Sequence, residues 1–218
     1  MPLKLYYHPL SSYCWKVLIA LYENGTAFEP VLVNLQDAAD RENFLKLWPI
    51  GKFPVLKDEA RDWMVPESSI IIEYLGQHYP GSTDLVALGD AERARQIRMR
   101  DRFFDLYLHL NMQKIVGDVL RPEGGKDAFG VEQAKTQIRT AYAMLDGVMG
   151  SVEWAAGEDF TMADCAAAPA LYYADKVVPA APGQTNIAAY LTRLKARPSF
   201  ARVLKEAEPY FHMFPVKN

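Results

Sequence analysis

The sequence predicts a small mixed α/β domain followed by an all-helical one. Three observations carry this expectation. Residues 1–78 interleave short β-type runs with helical periods. A turn-rich stretch, Tyr79-Pro80-Gly81-Ser82-Thr83-Asp84, then interrupts the chain. Beyond it the apolar periods are helical. The expected division is 1–78, a linker at 79–89 and a helical domain at 90–218.

The elements follow in order. Leu3 to Tyr7 alternates and reads as a first strand, broken by His8-Pro9-Leu10-Ser11-Ser12. Trp15, Val17, Leu18, Ile19, Leu21 and Tyr22 form a broad helical face, closed by Asn24-Gly25. Phe28 to Leu35 reads as a second strand, and Arg41 to Trp48 as a short helix stopped by Pro49. Lys52–Leu56 and Arg61–Val65 read as strands around a turn at Asp58-Glu59. Pro66 ends them, and Glu67 to His78 is a third helix, carrying Ile70, Ile71, Tyr74 and Leu75.

In the second half, Asp90 to Leu120 reads as one long helix with Phe103, Leu106, Tyr107 and Leu110 on one side. Phe103 and Leu106 are expected in the core. Glu132 to Met149 is a further helix. Thr161 to Tyr173 opens on a capping box, Thr161 with Asp164, and Phe160 can staple onto Cys165. Ile187–Ala196 and Phe200–Ala207 close the series.

Composition narrows the function. Half of the residues are hydrophobic and 23% are charged, which are globular proportions. Twenty-seven acidic against 24 basic residues give a net charge of -3, so no global attraction to nucleic acid or anionic lipid is expected. Two cysteines exclude a disulfide-stapled scaffold. The first residues lack the apolar stretch of a signal peptide, and Cys165–Ala174 is too short to span a bilayer. A soluble protein of a reducing compartment, the cytoplasm, is the expectation.

Several chemistries lack their motif. There is no Gly-x-Gly-x-x-Gly, no P-loop, no His-Glu-x-x-His and no Gly-x-Ser-x-Gly, and no metal site can be assembled from sequence-close ligands. Arg93, Arg95, Arg98, Arg100 and Arg102 spread around a helix among Glu92, Asp101 and Asp105. They read as a salt-bridged face suited to a dimer interface rather than a nucleic-acid patch.

Three segments can meet to form a site. Ser11-Ser12-Tyr13-Cys14 sits at a helix N-terminus, where unpaired N–H groups and the helix dipole favour an anion. Either serine alone reads equally as an N-cap. Phe53-Pro54 leaves the Phe53 N–H free in extended backbone, and a trans bond is the default there. Pro66-Glu67-Ser68-Ser69 opens the third helix, where Ser68 and its amides suit a carboxylate and Glu67 an ammonium group, or where both merely cap.

The order of these segments resembles the cytosolic glutathione transferases over nearly the whole chain. The resemblance rests on Tyr6 to Val17, Gly51-Lys52-Phe53-Pro54-Val55-Leu56, Glu67-Ser68 and Phe160-Thr161-Met162-Ala163-Asp164. It implies a thioredoxin-like first domain that binds glutathione. Pro54 would be the family's cis-proline, Phe53 would pair its backbone with the cysteinyl unit, and Glu67 and Ser68 would hold the γ-glutamyl end. Lys52 and Gln36 would sit near the glycyl end. The serine-type classes place a catalytic hydroxyl just before the first helix, which aligns with Ser11 in preference to Ser12. The hydroxyl then acts as donor to a thiolate, lowering the thiol pKa, rather than as a nucleophile.

The resemblance also implies an electrophile pocket in the helical domain. Leu10, Tyr13, Tyr107 and Asn111 are its candidates, with Phe211 and Phe214 as a lid. A homodimer and a role in detoxification are implied by the family, with no metal. The implied activity is transfer of glutathione to a small apolar electrophile. The alternatives are glutathione-dependent cis-trans isomerisation of the zeta kind, weakened because Tyr13 stands where that class carries cysteine, and a non-catalytic glutathione- or ligand-binding protein. A glutaredoxin-like exchange is rejected, because Ser11 replaces the attacking cysteine. Cys14, on an apolar helix, reads as a small buried residue.

Overall fold

The computed structural model describes residues 2–216, so the last two residues of the expected helical domain lie outside the described residues. Four strands form one mixed sheet in the order β2-β1-β3-β4. They are β1 (Leu3–Tyr7), β2 (Glu29–Leu32), β3 (Val55–Asp58) and β4 (Trp63–Pro66). β1 pairs with β2 in parallel and with β3 antiparallel, Leu5 facing Pro30 on one side and Leu56 on the other. The predicted alternation of β1 is visible in burial: Leu3 and Leu5 point into the core, while Lys4 faces out to Glu59. β2 is shorter than expected, and β3 runs on through Asp58 before turning.

Helices α1 (Ser12–Glu23), α2 (Ala38–Leu47) and α3 (Ser68–His78) complete this half. α1 ends at Asn24, and Gly25 takes φ +59, the left-handed value that glycine adopts without cost. α2 begins earlier than Arg41 because the Asp37 side chain accepts hydrogen bonds from the N–H groups of Ala39 and Asp40. Only Phe44 of α2 is buried, in a small satellite cluster with Val33 and Val55.

The second half is helical, as the sequence predicts. The expected long helix is two α-helices, α4 (Ala91–Phe103) and α5 (Leu110–Val119), joined without a break by a π-helical turn at Phe104–His109. A π turn holds about one extra residue, which rotates the following face by roughly 100°. The inward side is therefore Phe104, Leu108, Met112 and Ile115. Phe103 is buried as expected, but Leu106, expected in the core, is exposed. α6 (Ala128–Met149), α7 (Met162–Val177), α8 (Thr185–Ala196) and α9 (Pro198–Ala207) follow. α7 continues through Pro169 past the expected end at Tyr173, because Ala166, Ala167, Ala168, Ala170 and Ala174 pack it into the core. Its capping box is formed: Asp164 accepts from the Thr161 N–H at 2.8 Å, from Ala155 N–H at 2.8 Å and from the Tyr190 hydroxyl at 2.6 Å.

One continuous apolar core links the sheet, α1 and α3 to the helical half. Inside it lies a charged cluster that sequence periodicity did not reveal. Lys16 of α1 is fully buried, and its ammonium meets Asp101 at 2.5 Å, Asp105 at 2.9 Å and the Ser69 hydroxyl at 2.8 Å. It hydrogen-bonds to Ser69 and Asp105 and pairs by charge with Asp101. Ser69 in turn donates to Asp101 at 2.8 Å, and Arg102 reaches both carboxylates from the half-exposed rim. The two acids expected on an outer salt-bridged face are thus inside. Arg98 pairs instead with Glu73 of α3, at 2.7 and 3.0 Å, and Arg93 with Asp159. Two cations and two carboxylates balance.

Removing one member leaves buried charge without its partner. Lys16→Met is expected to lower the unfolding free energy by about 3–5 kcal/mol in urea titrations. Burial alone would push the Asp105 carboxyl up, but the Lys16 ammonium, 2.9 Å away, outweighs it and holds it below the usual carboxylate range. Its contribution to stability is complete above the ordinary Asp value of about 3.9 and drains away as pH falls toward the lower folded value. The melting temperature is expected to drop below about pH 4, and less steeply in Asp105→Asn.

Candidate functional site

The first site segment is the turn between β1 and α1. Ser11 is the N-cap of α1, with extended backbone, and its Oγ accepts from the Cys14 N–H at 3.4 Å. That acceptance uses one lone pair, and the hydroxyl proton stays free to donate. Capping and donation are therefore compatible. Ser12 is the first helical residue and is buried. No acidic side chain occupies the first turn, so the positive end of the helix is left uncompensated by the chain itself. Cys14 is fully buried, and burial pushes its thiol up to about 12, which makes it inert as a nucleophile at neutral pH.

The second segment is the Phe53–Pro54 bond, which is cis. The Phe53 ring stacks 6.0 Å from His8. His8 accepts from the Leu10 N–H through Nδ1 at 3.2 Å, and burial lowers its pKa, so it is neutral. The third segment is the start of α3. Glu67 precedes it with φ +69 and makes no side-chain cap, which leaves the first N–H groups of the helix open to an external acceptor. A non-glycine residue at that φ stores on the order of 1–3 kcal/mol, and such strain clusters at ligand sites.

Two cavities of about 480 Å³ each meet at this corner. The first is bounded by Lys52, Phe53, Pro54, Glu67 and Ser68, with Trp48, Tyr13, Arg98 and Arg102. The second is bounded by Leu10, Ser11, Ser12 and Phe53, by Met112, Gln113, Val116 and Gly117 of α5 with Leu120 just after it, and by Tyr173, Met213 and Phe214. Phe53 and Gln113 border both. The first cavity is charged and polar along one side, whereas no charged side chain borders the second among the described residues.

Most of the sequence candidates are thus brought together, though not all in the expected place. Lys52, Phe53, Pro54, Glu67 and Ser68 share the first cavity; Leu10, Ser11 and Ser12 share the second. Tyr13 lies in the first cavity rather than beside Leu10, stacked 4.1 Å from the buried His109. Gln36 is exposed in the loop before α2 and borders neither cavity. Tyr107 is exposed and borders neither, and Asn111 returns its amide N–H to the Tyr107 carbonyl at 2.9 Å. The π turn has rotated both away, and the next helical rows, Met112–Val116–Leu120 and Gln113–Gly117, stand in their place. That spacing is legible in the sequence once the turn is known. Phe214 covers the second cavity, 5.3 Å from Tyr173, while Phe211 packs inward against Trp15. Among the described residues no three His, Cys, Asp or Glu side chains gather to hold a metal ion, and no helix is long and apolar enough to cross a membrane.

The profile of the glutathione S-transferase N-terminal domain matches residues 5–83, and that of the C-terminal domain matches residues 106–198. Glutathione S-transferase 3 of Zea mays is 32% identical over 214 residues, covering 93% of each chain. The chain belongs to the glutathione S-transferase family. Another relative of this family member is the stringent starvation protein A homolog of Haemophilus influenzae, 30% identical over 203 residues, covering 90% of this chain and 87% of that one. Among solved structures, a glutathione S-transferase from Methylobacillus flagellatus with glutathione bound is 25% identical, covers 92% of this chain and 98% of that chain, and superposes with a TM-score of 0.81.

The strained residue before α3 gives a test independent of activity. Glu67→Gly is expected to gain about 1 kcal/mol in urea unfolding by releasing the positive-φ strain, whereas Glu67→Ala, which keeps a Cβ, gains none.

Proposed function

We propose that this glutathione S-transferase family member binds glutathione across the two cavities and activates its thiol at Ser11 for attack on an uncharged, apolar electrophile. The single observation that carries this is the shared border of the cavities at Phe53, with an anion-favouring helix start on each side. In this reading the γ-glutamyl carboxylate sits at the open N–H groups of α3, beside Ser68, and its ammonium pairs with Glu67. The cysteinyl backbone pairs with Phe53, and the glycyl end lies toward Lys52. The sulfur then passes Phe53 into the second cavity and meets the Ser11 hydroxyl.

A free thiol of pKa about 8.5 is only a few per cent ionised at neutral pH. A hydroxyl donor and the bare start of α1 favour the charged form. Lowering the pKa by two units corresponds to roughly 2.7 kcal/mol and makes the thiolate the major species. The thiolate forms a bond to the electrophilic carbon, and the leaving group departs with its electron pair. The proton left the sulfur earlier, on binding, and goes to solvent.

Two other readings are weaker. Isomerisation of a maleyl-type cis-enedione would bring substrate carboxylates into the second cavity, whose described border carries no cation. A non-catalytic glutathione- or ligand-binding role would use the open start of α3 and Glu67 equally, but would not need the free Ser11 proton at the bare start of α1. A homodimer in the cytoplasm completes the proposal; the exposed Ile70, Met99, Leu106 and Leu110 suit an interface on α3, α4, the π turn and α5.

The test is calorimetric titration with glutathione, followed by conjugation assays. Native protein is expected to bind glutathione and to conjugate a chlorinated nitroaromatic in preference to isomerising a cis-enedione. Ser11→Ala is expected to keep binding within a few-fold and to lose on the order of 10²-fold in kcat/KM, the effect of deleting one preorganised donor. Absence of glutathione binding would overturn the reading, and unchanged turnover in Ser11→Ala would move the donor to Ser12.

A further inference from the structure

We infer that Tyr173 is a positioning residue for the Ser11 donor, holding the donor turn from the helical half of the chain. The inference rests on the thiolate-donor reading above and adds to it a group that never touches the sulfur. Ahead of Ser11, whose own carbonyl accepts from the Trp15 N–H, the turn has the carbonyls of His8, Pro9 and Leu10 to satisfy. The His8 carbonyl accepts from the Ser11 N–H at 3.0 Å, and the Pro9 carbonyl from the Trp15 indole N–H at 2.5 Å. The Leu10 carbonyl lies just outside α1. The α1 N–H that could turn back toward it, that of Cys14, goes to the Ser11 side chain instead.

Its partner comes from α7, 163 residues along the chain: the Tyr173 hydroxyl donates to the Leu10 oxygen at 3.0 Å. The bonded peptide unit is Leu10–Ser11, so this contact sets the orientation of the backbone from which the Ser11 side chain springs. The Tyr173 ring is itself fixed. It is buried, 4.7 Å from Trp15 and 5.3 Å from Phe214. Donor placement is sensitive to such support, since a preorganised hydrogen bond is worth most when its geometry is set before the charge arrives.

The titratable groups at the turn are His8, Cys14 and Tyr173 itself, with the Tyr210 ring 6.3 Å from His8 and the Tyr172 ring 5.5 Å from Tyr173. Burial keeps His8 neutral and holds Cys14 and Tyr173 protonated. The ionisation read near neutral pH is therefore that of the glutathione sulfur.

The experiment follows the ultraviolet absorbance of bound thiolate against pH, together with kcat/KM, in native protein, Ser11→Ala, Tyr173→Phe and the double variant. Tyr173→Phe removes one oxygen and keeps the ring, so its melting temperature is expected to fall by only a few degrees and its glutathione affinity to change less than about twofold. Its bound thiol is expected to titrate about half to one unit higher, with kcat/KM at neutral pH down roughly three- to tenfold, the scale of one hydrogen bond. Because Tyr173 acts through Ser11, the double variant is expected to match Ser11→Ala alone. A native-like thiol pKa in Tyr173→Phe, or additive losses in the double variant, would overturn the positioning role while leaving the donor reading intact. An unshifted thiol pKa in Ser11→Ala would overturn both.

Discussion

Lys16 is the residue around which the rest of the molecule is arranged. A lysine with no access to water must find all of its partners inside the protein. Here those partners come from three other elements: Ser69 from α3, Asp101 from α4 and Asp105 from the π turn that follows it. The cluster therefore specifies where α1 lies relative to the helical half. That placement matters because the N-terminal end of the same helix carries Ser11. The apolar core supplies most of the driving force but tolerates small slides; a three-partner ammonium tolerates few. Nearby, His109 is buried with neither ring nitrogen hydrogen-bonded, and burial holds it uncharged. It adds a flat surface under Tyr13 without adding a charge.

The candidate site draws its character from a division of labour between its two cavities. One offers charge and an uncapped helix start, as a zwitterionic peptide requires. The other is lined by Leu, Met, Val and aromatic side chains, with Ser11, Ser12, Tyr173 and Gln113 as its polar contacts. In the proposed reading, the sulfur that crosses from one to the other leaves a polar environment for an apolar one, where the electrostatic effect of a single hydroxyl is strengthened. The turn before α1 is well suited to that crossing point. Its three carbonyls are occupied by the Ser11 N–H, the Trp15 indole and the Tyr173 hydroxyl, which leaves the Ser11 proton and the first N–H groups of α1 to respond to a ligand.

Much of this was legible in the sequence, for identifiable reasons. Strand alternation at Leu3–Tyr7, the Asn24-Gly25 stop and the Thr161–Asp164 box are local signals, and local signals survive in a one-dimensional reading. The family resemblance extended that reading to the cis bond at Phe53–Pro54, which residue preferences alone oppose. What was not legible depended on contacts between distant residues. The π turn at Phe104–His109 leaves no composition mark, yet it turned Tyr107 and Asn111 away and brought Met112 and Gln113 to the border of the second cavity. Asp101 and Asp105 read as surface acids because their helix is otherwise rich in charge. Their partner is a lysine that sits in an apolar run some ninety residues earlier, and no spacing rule connects the two.

The continuity of the core bears on how such a chain can change over evolutionary time. The sheet-bearing half and the helical half share one interior, and the ammonium of the first is neutralised by carboxylates of the second. Neither half is an interchangeable module. A recombinant joining the first 80 residues of this chain to the helices of a distant relative would inherit a stranded cation wherever that relative lacks the two acids. New substrate preferences are more accessible by substitution along α5 and the C-terminal cover than by exchange of whole halves.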